Sequence, residues 1–199
     1  YPAEEVGGDF FQQIADGNGG MMIVVGDVSG KGLPAAMLVA ALVGAIRAEA
    51  AHSMDPASLL HCLNERVLAR AQAGFVTALA AHIAAHGRMT IANAGHLSPY
   101  VNGIELEVPG SLPLGIVPKI SYDTAVCTLA SGDRIAFVSD GVIEAHNRAG
   151  EMFGFDRTRD ISRDSANAIA QTAQAFGQDD DITVVTIDFA GTGQAQPAV

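Results

Sequence analysis

The chain is 199 residues long, 49% hydrophobic and only 17% charged, with a formal net charge of -11. That length suits one globular domain with a sizeable core, and the apolar content excludes a disordered chain. The acidic balance excludes the basic face of a nucleic-acid binder and suits a protein that gathers cations.

In chain order, Val6 to Ile14 reads as a strand, followed by a turn at Gly17-Asn18-Gly19-Gly20. The apolar run Met21 to Val25, bounded by glycine, predicts a buried strand. Pro34 opens a helix at a favourable early position. This helix is apolar almost all round until Arg47 and Glu49, which predicts cover on most sides. Its apolar stretch, Leu33 to Ile46, falls short of the roughly 18 residues of a membrane span. A buried helix is expected, with no membrane contact from this domain. Asp55-Pro56 supplies an N-cap and a first-turn proline for a second helix reaching Ala71.

From Phe75 the pattern turns strand-like: Phe75 to Ala84, Arg88 to Ala94, and Tyr100 to Val108, the last broken by the hairpin dipeptide Asn102-Gly103. Ile120 to Leu129 and Arg134 to Val138 follow, separated by a turn at Ser131-Gly132-Asp133. A short helix after Gly141, a helix over Ser165 to Phe176 and a strand over Ile182 to Phe189 complete the domain. These elements predict an α+β fold, antiparallel sheets with helices packed outside, as one domain over 1–189 with a flexible tail over 190–199. Cys62 and Cys127 lie in apolar stretches without ligand spacing and read as reduced core residues. The chain opens on Tyr1-Pro2-Ala3 without a leader pattern, and is expected to be a cytoplasmic piece of a longer protein.

The informative residues are aspartates at strand ends beside glycine. Asp27 ends the second strand within Gly26-Asp27-Val28-Ser29-Gly30, and Asp140 follows Arg134 to Val138 within Ser139-Asp140-Gly141. Asp180 precedes the last strand, and Asp9 follows Gly7-Gly8. One such Asp-Gly pair is most often a turn, and Asp16 and Asp133 read that way. Antiparallel pairing sets the beginning of one strand beside the end of its neighbour, so the set can share one edge. Carboxylates meeting there repel one another unless cations neutralise them. Oxygen ligands select Mg²⁺ or Mn²⁺ over zinc. Two such ions about 3.5–4 Å apart can activate a water and clamp a phosphoryl oxygen.

Several segments together resemble the bacterial metal-dependent protein phosphatases of the PPM superfamily, in the SpoIIE-like branch. They are Val6-Gly7-Gly8-Asp9-Phe10-Phe11; Gly26-Asp27-Val28-Ser29-Gly30-Lys31-Gly32 with Pro34-Ala35-Ala36; Asn93-Ala94-Gly95-His96; Leu114-Gly115-Ile116; Ser139-Asp140-Gly141-Val142-Ile143-Glu144-Ala145; and Asp180-Asp181-Ile182-Thr183-Val184. The resemblance implies a four-layer α-β-β-α sandwich and two Mn²⁺ or Mg²⁺ ions, with room for a third. By position, Asp27 should bridge both ions. Asp9 and the Val28 carbonyl should complete one site, Asp140 and Asp180 the other. Asp27 and Asp140 are then the residues on which catalysis depends. Glu144, His96 and Asp181 are candidates for a third ion or the surrounding shell, and Lys31 for a phosphate contact.

The implied reaction is hydrolysis of phosphoserine or phosphothreonine on a regulatory protein of the anti-anti-sigma type, with a homodimer as a compatible assembly. The rival is a binding module that kept the fold and lost turnover. Two positions depart from the family pattern: Gln12 stands where an aspartate is usual, and Ser29 where eukaryotic relatives carry a histidine as proposed general acid. Gly26 to Gly32 is not a P-loop, since three residues rather than four precede Gly-Lys and glycine follows.

Overall fold

A computed structural model describes residues 7–70 and 74–191. Val6 in the first predicted strand, Ala71 at the predicted end of the second helix, and the predicted tail from residue 192 lie outside the described residues. The first half comprises β1 (Asp9–Ala15), β2 (Met21–Val28), α1 (Leu33–Ala50), α2 (Pro56–Leu68), β3 (Val76–Ile83) and β4 (Arg88–Ala94). Then come β5 (Tyr100–Val101), β6 (Ile104–Glu105), β7 (Thr124–Thr128) and β8 (Arg134–Val138). The last described elements are α3 (Asp140–Ile143), α4 (Gly154–Ile161), α5 (Ala166–Phe176) and β9 (Val184–Asp188).

The strands form two antiparallel sheets, ordered β1-β2-β3-β4-β7 and β6-β5-β8-β9. Side chains alternate between the faces of a strand, so each buried strand feeds two cores. On β2, Met22 and Val24 pack with Leu38, Leu42 and Ile46 of α1 and Leu59, Leu60 and Leu63 of α2. Ile23 and Val25 point the other way, meeting Leu79, Ile91, Ile135 and Phe137 between the sheets. On β8, Ala136 and Val138 turn outward to Val142, Phe153, Ile169 and Ala173. The result is the expected four-layer α-β-β-α sandwich.

Local chemistry accounts for most of the boundaries. Asp55 caps α2, accepting the Ser58 N–H at 2.9 Å, with Pro56 in the first turn. Asn102 and Gly103 take positive φ, 51° and 80°, and close the β5–β6 hairpin. β4 and β8 keep the limits the sequence predicts.

Four expectations are corrected. β2 runs on to Val28, because β1 and β3 both pair with it through Gly26 and Asp27. A Cβ at Gly26 would stand 2.5 Å from the Phe10 ring and from the Thr77 carbonyl oxygen, so glycine permits that pairing. The strand predicted over Ile120 to Leu129 is only Thr124–Thr128, since β4 offers partners from Arg88 to Ala92 alone. α4 was not anticipated; its eight residues are mostly polar, and it is anchored by Phe153 stacked edge-on to Phe176 and by buried Thr158. Lastly, α1 is 18 residues long with mean hydropathy 1.6, and is long and apolar enough by composition to cross a membrane. Nor is it covered on most sides: one face packs on the sheet and α2, while Leu33 and Met37 are exposed.

Candidate functional site

Strand parity builds one end of the sandwich. Phe11, Val25, Leu79, Phe137 and Val185 all face the core between the sheets. Two residues further along the same strands, toward one end, stand Asp9, Asp27, Thr77, Ser139 and Thr183. The apolar filling of the gap therefore gives way to polar groups at that end. Asp9 lies directly opposite Asp27 across β1 and β2, and Asp27 opposite Thr77 across β2 and β3. Asp140 leaves the end of β8 as the first residue of α3, while Asp180 and Asp181 lead into β9, the partner of β8. The acidic groups thus come from both sheets, Asp9 and Asp27 from one and Asp140, Asp180 and Asp181 from the other.

Their electrostatics record this proximity. Burial pushes the Asp27 carboxyl up to about 7, with further push from Asp9, Asp140, Asp180 and Asp181. Burial likewise raises Asp9 to about 6, the neighbouring Thr183 and Ser139 side chains pull the other way, and Asp140 and Asp181 raise it further. Asp140 is raised by burial and then by Asp180.

Of the three consecutive aspartates, Asp179 is drawn off into a hydrogen bond with His146 Nδ1, 3.1 Å away. Asp180 bears more strongly than Asp181 on Asp27 and Asp140. The Asp181 carboxylate accepts the Gly8 N–H at 3.0 Å and lies against Gly7, so it clasps the segment before β1. Its carbonyl accepts the Ser139 hydroxyl at 3.1 Å, and that hydroxyl accepts the Thr183 N–H at 2.9 Å. Ser139 thus ties the end of β8 to the segment leading into β9, beside Asp9. Neither Ser139 nor Thr183 was given a role from the sequence, although both stand in quoted motifs, Ser139 before Asp140 and Thr183 after Asp180-Asp181-Ile182.

The remaining candidates spread around this centre. Lys31 Nζ lies 3.5 Å from Asp180 Oδ1, both side chains about half exposed. Glu144 stands exposed at the end of α3, its N–H donating to the Asp140 carbonyl at 2.8 Å. His96 sits deeper, Nδ1 3.0 Å from Thr77 Oγ1 and Nε2 buried. Ser29 accepts the Phe75 N–H through its hydroxyl at 2.9 Å, which commits it to holding its loop against β3.

The donor set suits a hard divalent cation. Asp9 Oδ2 is buried without a hydrogen-bond partner, an expensive arrangement for a carboxylate left unneutralised. A Cβ on Gly8 would stand 2.5 Å from the Val28 carbonyl oxygen and 2.6 Å from Asp27 Oδ1, so glycine keeps that carbonyl and carboxylate uncovered. All the donors are oxygens. Among the described residues, however, no three Asp, Glu, His or Cys side chains are drawn into a closed coordination cage. The carboxylates form a set of mutually repelling neighbours.

Two facing antiparallel sheets with helices outside and acidic groups at one end are the architecture of a PP2C-type phosphatase domain. The PP2C domain of SiaA from Pseudomonas aeruginosa superposes with a TM-score of 0.81 at 27% identity, covering 94% of this chain and 83% of that one. A structure of RsbX in complex with magnesium shares the fold, with a TM-score of 0.70 at 19% identity over 92% of this chain and 88% of that chain. In sequence, the chain is 30% identical over 158 residues to phosphoserine phosphatase RsbU of Bacillus subtilis, a match spanning 75% of this chain and 46% of RsbU. The chain thus spans less than half the length of that relative. The model of the family Stage II sporulation protein E (SpoIIE) matches residues 17–190, and the chain belongs to that family.

Proposed function

We propose that this domain hydrolyses phosphoserine or phosphothreonine on a regulatory protein, with two Mn²⁺ or Mg²⁺ ions held by its aspartates. The observation that carries this reading is the coupling of Asp27 to Asp9 across β1 and β2 and to Asp140 and Asp180 from the second sheet. Asp27 would be shared between the two ions, Asp9 and the Val28 carbonyl would hold one, and Asp140 and Asp180 the other. Glu144 stands one helical turn from Asp140 and is the candidate for a third. When bound, such ions supply Lewis acidity toward the phosphoryl oxygens and a water activated near neutral pH. The chain's own part is to fix negative oxygens where the cations are needed, and to present Lys31 at the rim as a positive contact for the phosphate.

The resemblance to RsbU, named a phosphoserine phosphatase, supports the substrate class, and an anti-anti-sigma-type regulator is the partner proposed. A cytoplasmic location and a homodimer are part of the same reading. A second reading is a binding module with weak turnover: Ser29 stands where eukaryotic relatives carry a histidine, and a serine hydroxyl, here accepting the Phe75 N–H, is a far weaker acid toward a leaving oxygen.

The test is phosphate release from a phosphoserine peptide under Mn²⁺ titration. The wild-type domain should release phosphate, lose that activity in chelator and regain it on adding Mn²⁺. Asp27→Ala and Asp140→Ala should both fall to background. Peptide binding without phosphate release at saturating Mn²⁺ would favour the binding module, and full activity in Asp140→Ala would overturn the metal assignment.

A further inference from the structure

We propose that His96 is a positioning residue for this site: its imidazole links Thr77 of β3 to the end of β8, and so sets the gap between the Asp9–Asp27 half and the Asp140–Asp180 half. The inference rests on the phosphatase reading above. β3 and β8 belong to different sheets. Each half of the site is therefore fixed by its own hydrogen-bond ladder, and contacts across the gap set their separation. His96 makes such a contact immediately behind the acidic groups.

On one side, Nδ1 lies 3.0 Å from the hydroxyl of Thr77, the residue directly opposite Asp27. On the other, the ring lines one crevice with Phe137, Val138 and Ser139, the residues that lead into Asp140. Its Nε2 is buried without a close hydrogen-bond partner, in a crevice lined by Val25, Gly26, Phe137, Val138, Ser139 and Thr183 that is too tight for water. The loop carrying the ring is held firmly: buried Asn93 accepts the His96 N–H and donates to the His96 carbonyl, both at 2.8 Å.

Burial pushes the imidazole down to about 4, against the opposing pull of the Val138 backbone, so the ring is neutral when phosphate is hydrolysed. A neutral imidazole has one donor and one acceptor. Nδ1 shares one hydrogen bond with the Thr77 hydroxyl, while the Nε2 edge packs into the crevice at the end of β8. Such a link transfers no proton. It matters because a displacement of about 1 Å between catalytic groups can cost on the order of a hundredfold in rate.

The experiment compares the described chain with His96→Phe, His96→Gln, Thr77→Val and the Thr77→Val/His96→Phe double variant. The readouts are Mn²⁺ binding by calorimetry, thermal melting, and steady-state hydrolysis of a phosphoserine peptide. His96→Phe fills the space without the polar contact to Thr77. It should melt cooperatively, bind Mn²⁺ more weakly and lose kcat by roughly ten- to a hundredfold, the range for residues that orient metal ligands. KM should stay within about twofold, since substrate binding itself is not altered. His96→Gln, which keeps a donor and an acceptor, should recover much of the loss. Thr77→Val should lower kcat in the same direction, and the double variant should be no worse than His96→Phe alone.

A folded His96→Phe with wild-type Mn²⁺ affinity and kcat overturns the proposal, as does a change confined to KM. If His96→Phe does not fold, an unchanged Thr77→Val overturns it instead. Wild-type chain that binds no Mn²⁺ fails at the earlier step and removes the phosphatase reading. Wild-type binding and turnover with unaltered variants removes only the role of His96.

Discussion

Asp27 stands furthest from ordinary carboxylate behaviour, pushed up to about 7, with Asp9 next at about 6. Both ionise less readily in the folded chain than in the unfolded one. The stability they contribute is therefore fully present below the ordinary value of 3.8, and is lost as pH rises through about 6 and then about 7. In chelator, the melting temperature should fall between pH 5 and pH 8, and saturating Mn²⁺ should restore it at the upper end. Asp27→Asn removes the ionisation while keeping the shape. In chelator at pH 8 it should melt higher than wild type, by about 2–4 °C for each kcal/mol recovered in a domain of this size. The same variant should release no phosphate. A lower melting temperature in Asp27→Asn would mean that the carboxylate is a structural anchor.

At the scale of elements, the site depends on close backbone approach as much as on charge. A Cβ on Gly141, the second residue of α3, would stand 2.0 Å from the Asp181 carbonyl oxygen. Neither partner is a flexible side-chain tip, so α3 and the segment leading into β9 must separate. Gly141→Ala should cost roughly 1–3 kcal/mol, as overpacking does, visible as a lower denaturant midpoint. Mn²⁺ affinity should fall with it, since Asp140 and Asp180 flank the contact. These elements were unequally legible in the sequence. Asn102-Gly103, Asp55-Pro56 and the strand-like segments Arg88 to Ala94 and Arg134 to Val138 act within a few residues, and they were read correctly. α4 escaped because its stabilising contacts, Phe153 to Phe176 and Arg157 over the Phe176 ring, join residues about twenty positions apart.

For the molecule as a whole, three apolar layers are stacked in series, and the middle one couples the two halves of the site. Phe137 is 2% exposed in that layer, on the strand that leads into Asp140. Phe137→Ala should cost about 3–5 kcal/mol, a large share of the roughly 5–15 kcal/mol typical of a domain. Both sheets should unfold in one transition at the lower midpoint, by circular dichroism and by fluorescence of a dye that binds exposed core. Separate transitions for the two halves would contradict a shared middle core.

The sequence by itself determined most of the elements and the family to which the chain belongs. Periodicity, caps and glycine-flanked aspartates are short-range facts, and they single out Asp9, Asp27, Asp140 and Asp180 as the acidic set. Tertiary structure alone decided that Asp27 and Asp140 belong to different sheets, that Asp179 is claimed by His146, and that Ser29 is bonded to Phe75. It also decided that α1 leaves Leu33 and Met37 exposed. The physical reason is that strand pairing and the packing of one sheet on another join residues far apart in the chain. Local pattern fixes what most segments are, while how much of each face is hidden, and what lies on its other side, is chosen only when the layers close.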